Sequence, residues 1–524
     1  MSDTQLYIGS TPIHRKKDGG LGEFVRMNGE TWSKISGLDA METFFMTVVS
    51  SSDHWMFIAS NGSLTAGRKN PESALFPYYT DDKIMDMPEL TGSKTIIKAT
   101  VGGKTFLWEP FSDRYAGAYD IQRNLYKSKF GNKVQFEEFN LDLGLAFRYT
   151  WAFSDDYGFV KYSELENISE DTIQTEVLDG LQNLLPYGVG SSLQGGYSTL
   201  VDAYKKNELV RETGMGIFSL SAMIVDKAEP SEALRATTVW SKGLPEAKYL
   251  LSSDQLDGFR RGEALMEEDF TKAVKAAYFV NANINLEAKS KHAWRMVAEV
   301  EQSSADVIDL NEALKTDKEL LAKIDADVVQ NTLNLERLVS IADGMQKGRD
   351  KLTTTRHYSN VLFNIMRGGI FEDQYNIDPS DLVKYVKTIN KKVYAKHNAF
   401  FTALPKGLTY GNLLVLARSN GNPDLLRICA EYLPISFSRR HGDPSRPWNS
   451  FNIDLIDENG HKKHNYEGNW RDIFQNWEAL AYSFPEFIEG MITKFANAST
   501  IDGYNPYRIT REGIDWETIE PDDP

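Results

Sequence analysis

Gly468-Asn469-Trp470-Arg471-Asp472-Ile473-Phe474-Gln475-Asn476-Trp477 gathers a charged pair, an amide pair and two indoles into one short stretch. Ile473, Phe474, Trp477, Leu480, Ala481 and Phe484 recur at helical spacing, so the segment is expected to be a helix with one buried apolar face. Arg471, Gln475, Glu478 and Tyr482 fall on the opposite face, where a planar guanidinium and a carboxamide can grip vicinal hydroxyls. That chemistry suits a sugar. The same residues also serve a purely structural end, because Asn469 is a good N-cap and Asp472 complements the positive end of the helix.

A second dense stretch is Arg439-Arg440-His441-Gly442-Asp443-Pro444-Ser445-Arg446-Pro447-Trp448-Asn449. Gly442, Pro444 and Pro447 forbid a regular helix or a central strand, and the side chains are those of a binding rim or of a surface loop paired with carboxylates. His461-Lys462-Lys463-His464 has a histidine pair but follows Glu458-Asn459-Gly460 in an expected hairpin, without a third ligand nearby, so no metal is expected. Phosphate loops, dinucleotide fingerprints and a Ser-His-Asp order are absent. Acidic pairs such as Asp81-Asp82, Asp155-Asp156 and Asp522-Asp523 read as solvated turns.

The chain around these segments has 524 residues, 10 Trp, 24 Tyr and 27 Phe, enough for two or three domains with large aromatic cores. A formal net charge of −16 disfavours nucleic acid and anionic membranes as partners and fits a neutral substrate. The one cysteine, Cys429, sits among Leu425, Leu426 and Ile428 and reads as a buried helical thiol; disulfides within the chain are excluded, which points to a reducing compartment. With no leader-like start and no apolar run of about 18 residues, a soluble cytoplasmic protein is expected.

Positioning falls to two kinds of element. From about residue 40 to 305 short strands alternate with turn signals such as Asn61-Gly62 and Gly102-Gly103, which predicts packed antiparallel sheets in a large two-sheet sandwich. Leu178–Gly188 interrupts the strand rhythm and reads as a rim loop or short helical turn. After 305 the period becomes helical, with a solvated connector to about 355 and then helices that include Pro379–Asn390, Asp424–Tyr432, Trp470–Ser483 and Pro485–Ala496. Ser483 to Glu486 reads as a capping box at a helix-hairpin joint, and Phe487, Ile488, Met491, Ile492 and Phe495 as the buried face of the last helix. The expected domains are 1–305, a β-sandwich; 306–355, a helical linker; and 356–524.

A large β-sandwich, a helical connector and paired helices opening on an Arg-Asp…Gln motif resemble the inverting glycoside phosphorylases of the cellobiose and chitobiose phosphorylase type. The resemblance implies a supersandwich followed by the first helices of an (α/α)6 toroid. The family motif Arg-Asp-x-x-Gln-Asp holds the −1 sugar, and Arg471, Asp472 and Gln475 occupy its first, second and fifth places. Asn476 stands where the second aspartate would be, keeping a hydrogen-bonding group but removing a charge. Trp470, Trp448 and Arg446 are expected to shape the cleft.

By resemblance, the reaction is phosphorolysis with inversion, in which a carboxylic acid protonates the glycosidic oxygen and inorganic phosphate, the co-substrate, attacks the anomeric carbon. No cofactor is implied. In the family that acid lies well downstream of the motif. Only about fifty residues follow it here, so the polypeptide is expected to be the front half of a larger enzyme whose general acid lies beyond Pro524. Asp515 and Glu517, and after them Asp502, are weak candidates for the acid within the chain. Partners expected on this reading are an oligosaccharide and either a second copy or a second chain completing the barrel. Binding without turnover and inverting hydrolysis are the alternatives.

Overall fold

The computed structural model describes residues 5–15, 19–225, 231–439, 442–446, 451–457 and 460–515. The chain divides into two compact units, 1–333 with 443–448, and 334–442 with 449–524.

The two largest sheets of the first unit are antiparallel and share one core, to which a four-stranded sheet of residues 45–76 also contributes. The larger has eleven strands, in the order Phe270–Lys272, Lys205–Val210, Met215–Leu220, Arg235–Lys242, Lys291–Ser303, Gly158–Asn167, Leu145–Ser154, Val134–Asn140, Ile121–Ser128, Glu30–Ser36 and Leu21–Met27. The smaller has five: Lys104–Trp108, Gly92–Val101, Ile173–Gln182, Ala276–Leu286 and Lys248–Ser252. Strand alternation decides what each face does. Phe147, Tyr149, Trp151 and Phe153, with Phe136, Trp294 and Met296, meet Ile97, Ala99, Val177, Tyr278 and Val280 of the smaller sheet in one core. On the other face of the larger sheet Ala152, Val160, Trp240 and Val297 pack against Leu314, Leu320, Ile324 and Val328. These leucines, isoleucine and valine come from helices α1 (Ser304–Thr316) and α2 (Leu320–Ile341), so the connector buries one stripe, while its outer face is mostly polar with Ile308, Val329 and Leu333 exposed.

Several expectations hold locally. Gly102 and Gly103 both take positive φ, 58° and 78°, and close a two-residue hairpin between Val101 and Lys104. Two require correction. The strand beginning at Ile173 runs on through Gln182, so Leu178–Gln182 is not a rim loop. Asp179, in this strand, is fully buried and accepts from Lys161 Nζ at 2.6 Å, Thr95 Oγ1 at 2.7 Å, Trp294 Nε1 at 2.7 Å and Ser163 Oγ at 3.2 Å. Asp155, read as solvated, is half-buried and accepts from Asn331 Nδ2 at 2.7 Å.

In the second unit the longer helices are α3 (Lys351–Gly368), α4 (Pro379–Ile389), α5 (Tyr410–Asn420), α6 (Pro423–Ala430), α7 (Trp470–Ser483) and α8 (Ile488–Ala498). Side-chain caps explain most starts: Asp350 accepts from Thr353 N–H, Asp378 from Ser380 N–H and Asn422 from Leu425 N–H. Cys429 is fully buried in α6, where burial pushes its thiol up to about 12 and leaves it unreactive. The joint before α8 is not a capping box. Its N-cap is Phe484, without a side-chain cap, and the aromatic ring of Phe487 stacks on Phe371 at 3.8 Å. Nor is the α8 face buried throughout, since Phe487 and Met491 are interior but Ile492 is 61% exposed.

Removing one partner of a buried pair leaves the other charge uncompensated. Lys161→Met is therefore expected to destabilise the protein by about 3–5 kcal/mol, read as a lowered urea midpoint; an unchanged midpoint would show that the pair does not constrain the sheets.

Candidate functional site

Helix α7 forms where the sequence places it, and its side chains fall into three stripes. Arg471 and Gln475 are exposed, and neither side chain has a hydrogen-bond partner among the described residues. Glu478 and the 85%-exposed Tyr482 continue that face. Asp472 is half-buried, with the Asn469 side-chain amide 3.5 Å from its carboxylate. That contact replaces the expected cap, for Asn469 sits at the N-cap position without capping the helix through its side chain.

The second stripe is apolar. Ile473, Trp477 and Leu480 are buried, and Trp477 Nε1 donates to Gly368 O at 2.9 Å, at the end of α3. Gly368 permits that approach: a Cβ there would stand 2.8 Å from Asn476 Cβ. Trp470 packs its ring edge-on against Phe495 at 4.9 Å, so this half-buried indole joins α7 to α8. Phe474, expected to be buried, is 47% exposed. It lines, with Ile488, Met491, Ile492 and Phe495, an apolar groove of about 420 Å³ between the two helices.

The third stripe carries Asn476, Ala479 and Ser483, which line a pocket of about 480 Å³ against α3. Asn476 is 6% exposed and donates to Asn364 Oδ1 at 2.9 Å; Asn364 in turn donates to Asn360 O at 3.0 Å. Sequence reasoning singled out Asn476 only as a departure from a motif and missed Gln346, His357, Asn360 and Asn364. The one signal is the pair Asn360 and Asn364, four residues apart on α3 with no capping role; Gln346 precedes that helix.

The remaining candidates do not join this group. Arg446 is exposed, belongs to the first unit, and its N–H donates to Asp443 O in a tight turn. Trp448 and Glu517 lie outside the described residues, as does Pro524, beyond which the general acid is expected. Asp515 pairs with Arg508 in a short strand that adjoins Arg508–Thr510 and, beyond it, Glu467–Asn469; Asp502 is exposed. Arg439, expected on a rim, is buried with its guanidinium 4.9 Å from the Phe437 ring.

His464 lies with Nδ1 2.9 Å from Asp381. Asp381 also accepts from Tyr432 at 2.5 Å and Arg511 at 2.6 Å. Burial alone would raise this carboxyl, but the His464 contact and the Arg511 guanidinium outweigh it and hold it at about 2. Among the described residues no group of three His, Cys, Asp or Glu side chains is placed to hold a metal ion. Nor is any described helix long and apolar enough to cross a membrane.

Residues 371–434, from Phe371 through α4, α5 and α6, match the glycoside hydrolase family 149 insertion domain 1, a segment of a carbohydrate-active enzyme family. No curated protein matches the chain. Among solved structures it is similar to a bacterial glucoamylase complexed with acarbose, at 10% identity over 79% of this chain and 61% of that one, TM-score 0.37. It is also similar to a putative kojibiose phosphorylase from the human microbiome, at 7% identity over 87% of this chain and 50% of that one, TM-score 0.27. A putative aldose 1-epimerase from Escherichia coli K12 is covered completely by 50% of this chain, at 10% identity and TM-score 0.25. The chain thus spans 50–61% of the length of the first two.

Because the folded value of Asp381 lies below the roughly 3.9 of an unfolded aspartate, its contribution is complete above that value and is lost as pH falls through about 2. Asp381→Asn should therefore lower the urea midpoint at pH 6 and flatten its dependence between about pH 4 and pH 2. Parallel profiles for variant and parent would remove Asp381 from the acid response.

Proposed function

We propose that this chain is a carbohydrate-active protein of the inverting glycoside phosphorylase type, with a β-sandwich, a helical linker and the first helices of an (α/α)6 barrel. The observation that carries this reading is the open stripe of α7, where Arg471 and Gln475 present a guanidinium and a carboxamide that no described residue engages. An Arg fork beside an amide matches adjacent sugar hydroxyls, and Asp472, one residue on, adds an acceptor. The family 149 segment at 371–434 supports the same class.

On this reading Arg471, Asp472 and Gln475 hold the sugar, inorganic phosphate is the nucleophile, and a carboxylic acid protonates the leaving oxygen. That acid is not assigned to a described side chain. The apolar groove between α7 and α8 is where a second copy, or a chain supplying further helices, would seat, since contiguous exposed apolar surface marks an interface.

Incubation with phosphate and a panel of β-linked glucobioses separates the readings. Sugar 1-phosphate release supports phosphorolysis, free sugar without a phosphate requirement supports hydrolysis, and saturable binding without release supports a binding protein. Arg471→Lys should weaken sugar binding by about 1.5–3 kcal/mol with little change in thermal stability; unchanged calorimetric affinity would remove Arg471 from the site. If a second copy is the occupant, light scattering should show a dimer or larger species that Ile492→Glu converts to monomer, and a monomeric parent would remove the second copy as the occupant.

A further inference from the structure

The stripe of α7 facing α3 has a chemistry of its own. The pocket of about 480 Å³ there falls within the roughly 300–1,000 Å³ of small-molecule sites. Its floor is apolar, made by Val361, Ile365, Ala479 and Leu480. Its polar lining is almost wholly uncharged: Gln346, His357, Asn360, Asn364, Asn476 and Ser483, with Asp343 the one ionisable acid and no lysine or arginine. Such a lining offers nothing to a phosphate or carboxylate, which needs a cation or a cluster of oriented N–H groups.

Two groups in it are held ready for a ligand. Asn476 is more than nine-tenths buried, its Nδ2 is engaged by Asn364 Oδ1 at 2.9 Å, and its Oδ1 has no partner among the described residues although the side chain lines the pocket. That oxygen is not sealed from solvent, so a ligand hydroxyl can take the place of water as its donor. His357 is the second. Its Nε2 lies 2.9 Å from Asp343 O, and a carbonyl only accepts, so Nε2 carries a proton and Nδ1 is the ring atom left to meet a ligand. Asp343 presents that carbonyl from the left-handed region, φ 60°, an uncommon conformation for a residue with a side chain. At the edge Tyr482, 85% exposed, adds a flat ring.

An apolar floor, an aromatic edge and a mixed set of neutral donors and acceptors complement a pyranose, which has an apolar ring face and equatorial hydroxyls that both donate and accept. We infer that the pocket between α3 and the C-terminal half of α7 is a second sugar site, specific for an uncharged hexopyranose and separate from the Arg471 stripe. It goes beyond the proposed function: Arg471 and Gln475 do not line it, and the inference stands on Asn476, Asn364 and His357 whether or not the first stripe holds substrate.

The test is calorimetric titration of the full chain with D-glucose and cellobiose, and with gluconate as the charged comparison. Parent protein should bind the neutral sugars and bind gluconate at least tenfold more weakly at this site. Asn364→Leu, close in volume, and Ala479→Trp, which fills the pocket, should each abolish one binding event while leaving the event sensitive to Arg471→Lys intact. Asn360→Ala, on the exposed surface of α3 and using only its backbone carbonyl in the amide chain, should weaken the same event severalfold and serves should the other two fail to fold. Sugar binding that Arg471→Lys weakens but Asn364→Leu, Ala479→Trp and Asn360→Ala leave unchanged overturns this inference and leaves the proposed function standing. The opposite pattern upholds the pocket and removes the Arg471 stripe. Absence of any sugar binding by the parent protein overturns both.

Discussion

The first unit depends on one charge pair that crosses between its two largest sheets. Lys161 stands on a strand of the larger sheet and Asp179 on a strand of the smaller, both with no solvent exposure. Two ions brought out of water are tolerated only where attraction and further hydrogen bonds replace their hydration. Here Thr95, Ser163 and Trp294 complete the shell of the aspartate. Those donors come from strands of both sheets, so the pair specifies which strands lie opposite one another. A one-residue slip of either strand would turn its charged member away from its partner and bring a strand neighbour, Val160 or Tyr162 on one and Leu178 or Gly180 on the other, into its place.

In the second unit the controlling contact is the close approach of α3 and α7. A glycine at 368 lets the helices meet, the Trp477 indole closes the α3 terminus through its N–H, and Asn476 is held by Asn364. Once α7 is pinned by that stripe, its other two faces have no freedom. One presents Arg471 and Gln475 outward, and the other leaves Phe474 beside the α8 groove. Three surfaces of different chemistry, one charged, one apolar and one amide-rich, are thus consequences of a single packing decision.

Local sequence was enough to determine the types of element and much of their chemistry. The rhythm of strands and turns before residue 305, the Gly102-Gly103 turn, the helical period of Ile473, Trp477 and Leu480 and the apolar surroundings of Cys429 all depend on neighbours a few residues away, and all appear in the structure. Only the tertiary structure decided what depends on distant partners. Asp179 becomes a strand residue because Lys161 and Trp294 reach it across the core, Asn469 gives up its cap to Asp472, and Ile492 stays exposed because no described residue covers it. The amide pocket was hidden for the same reason. Asn360 and Asn364 lie more than a hundred residues from Asn476, and a binding surface assembled by packing two helices leaves no fixed spacing along the chain from which it could be read.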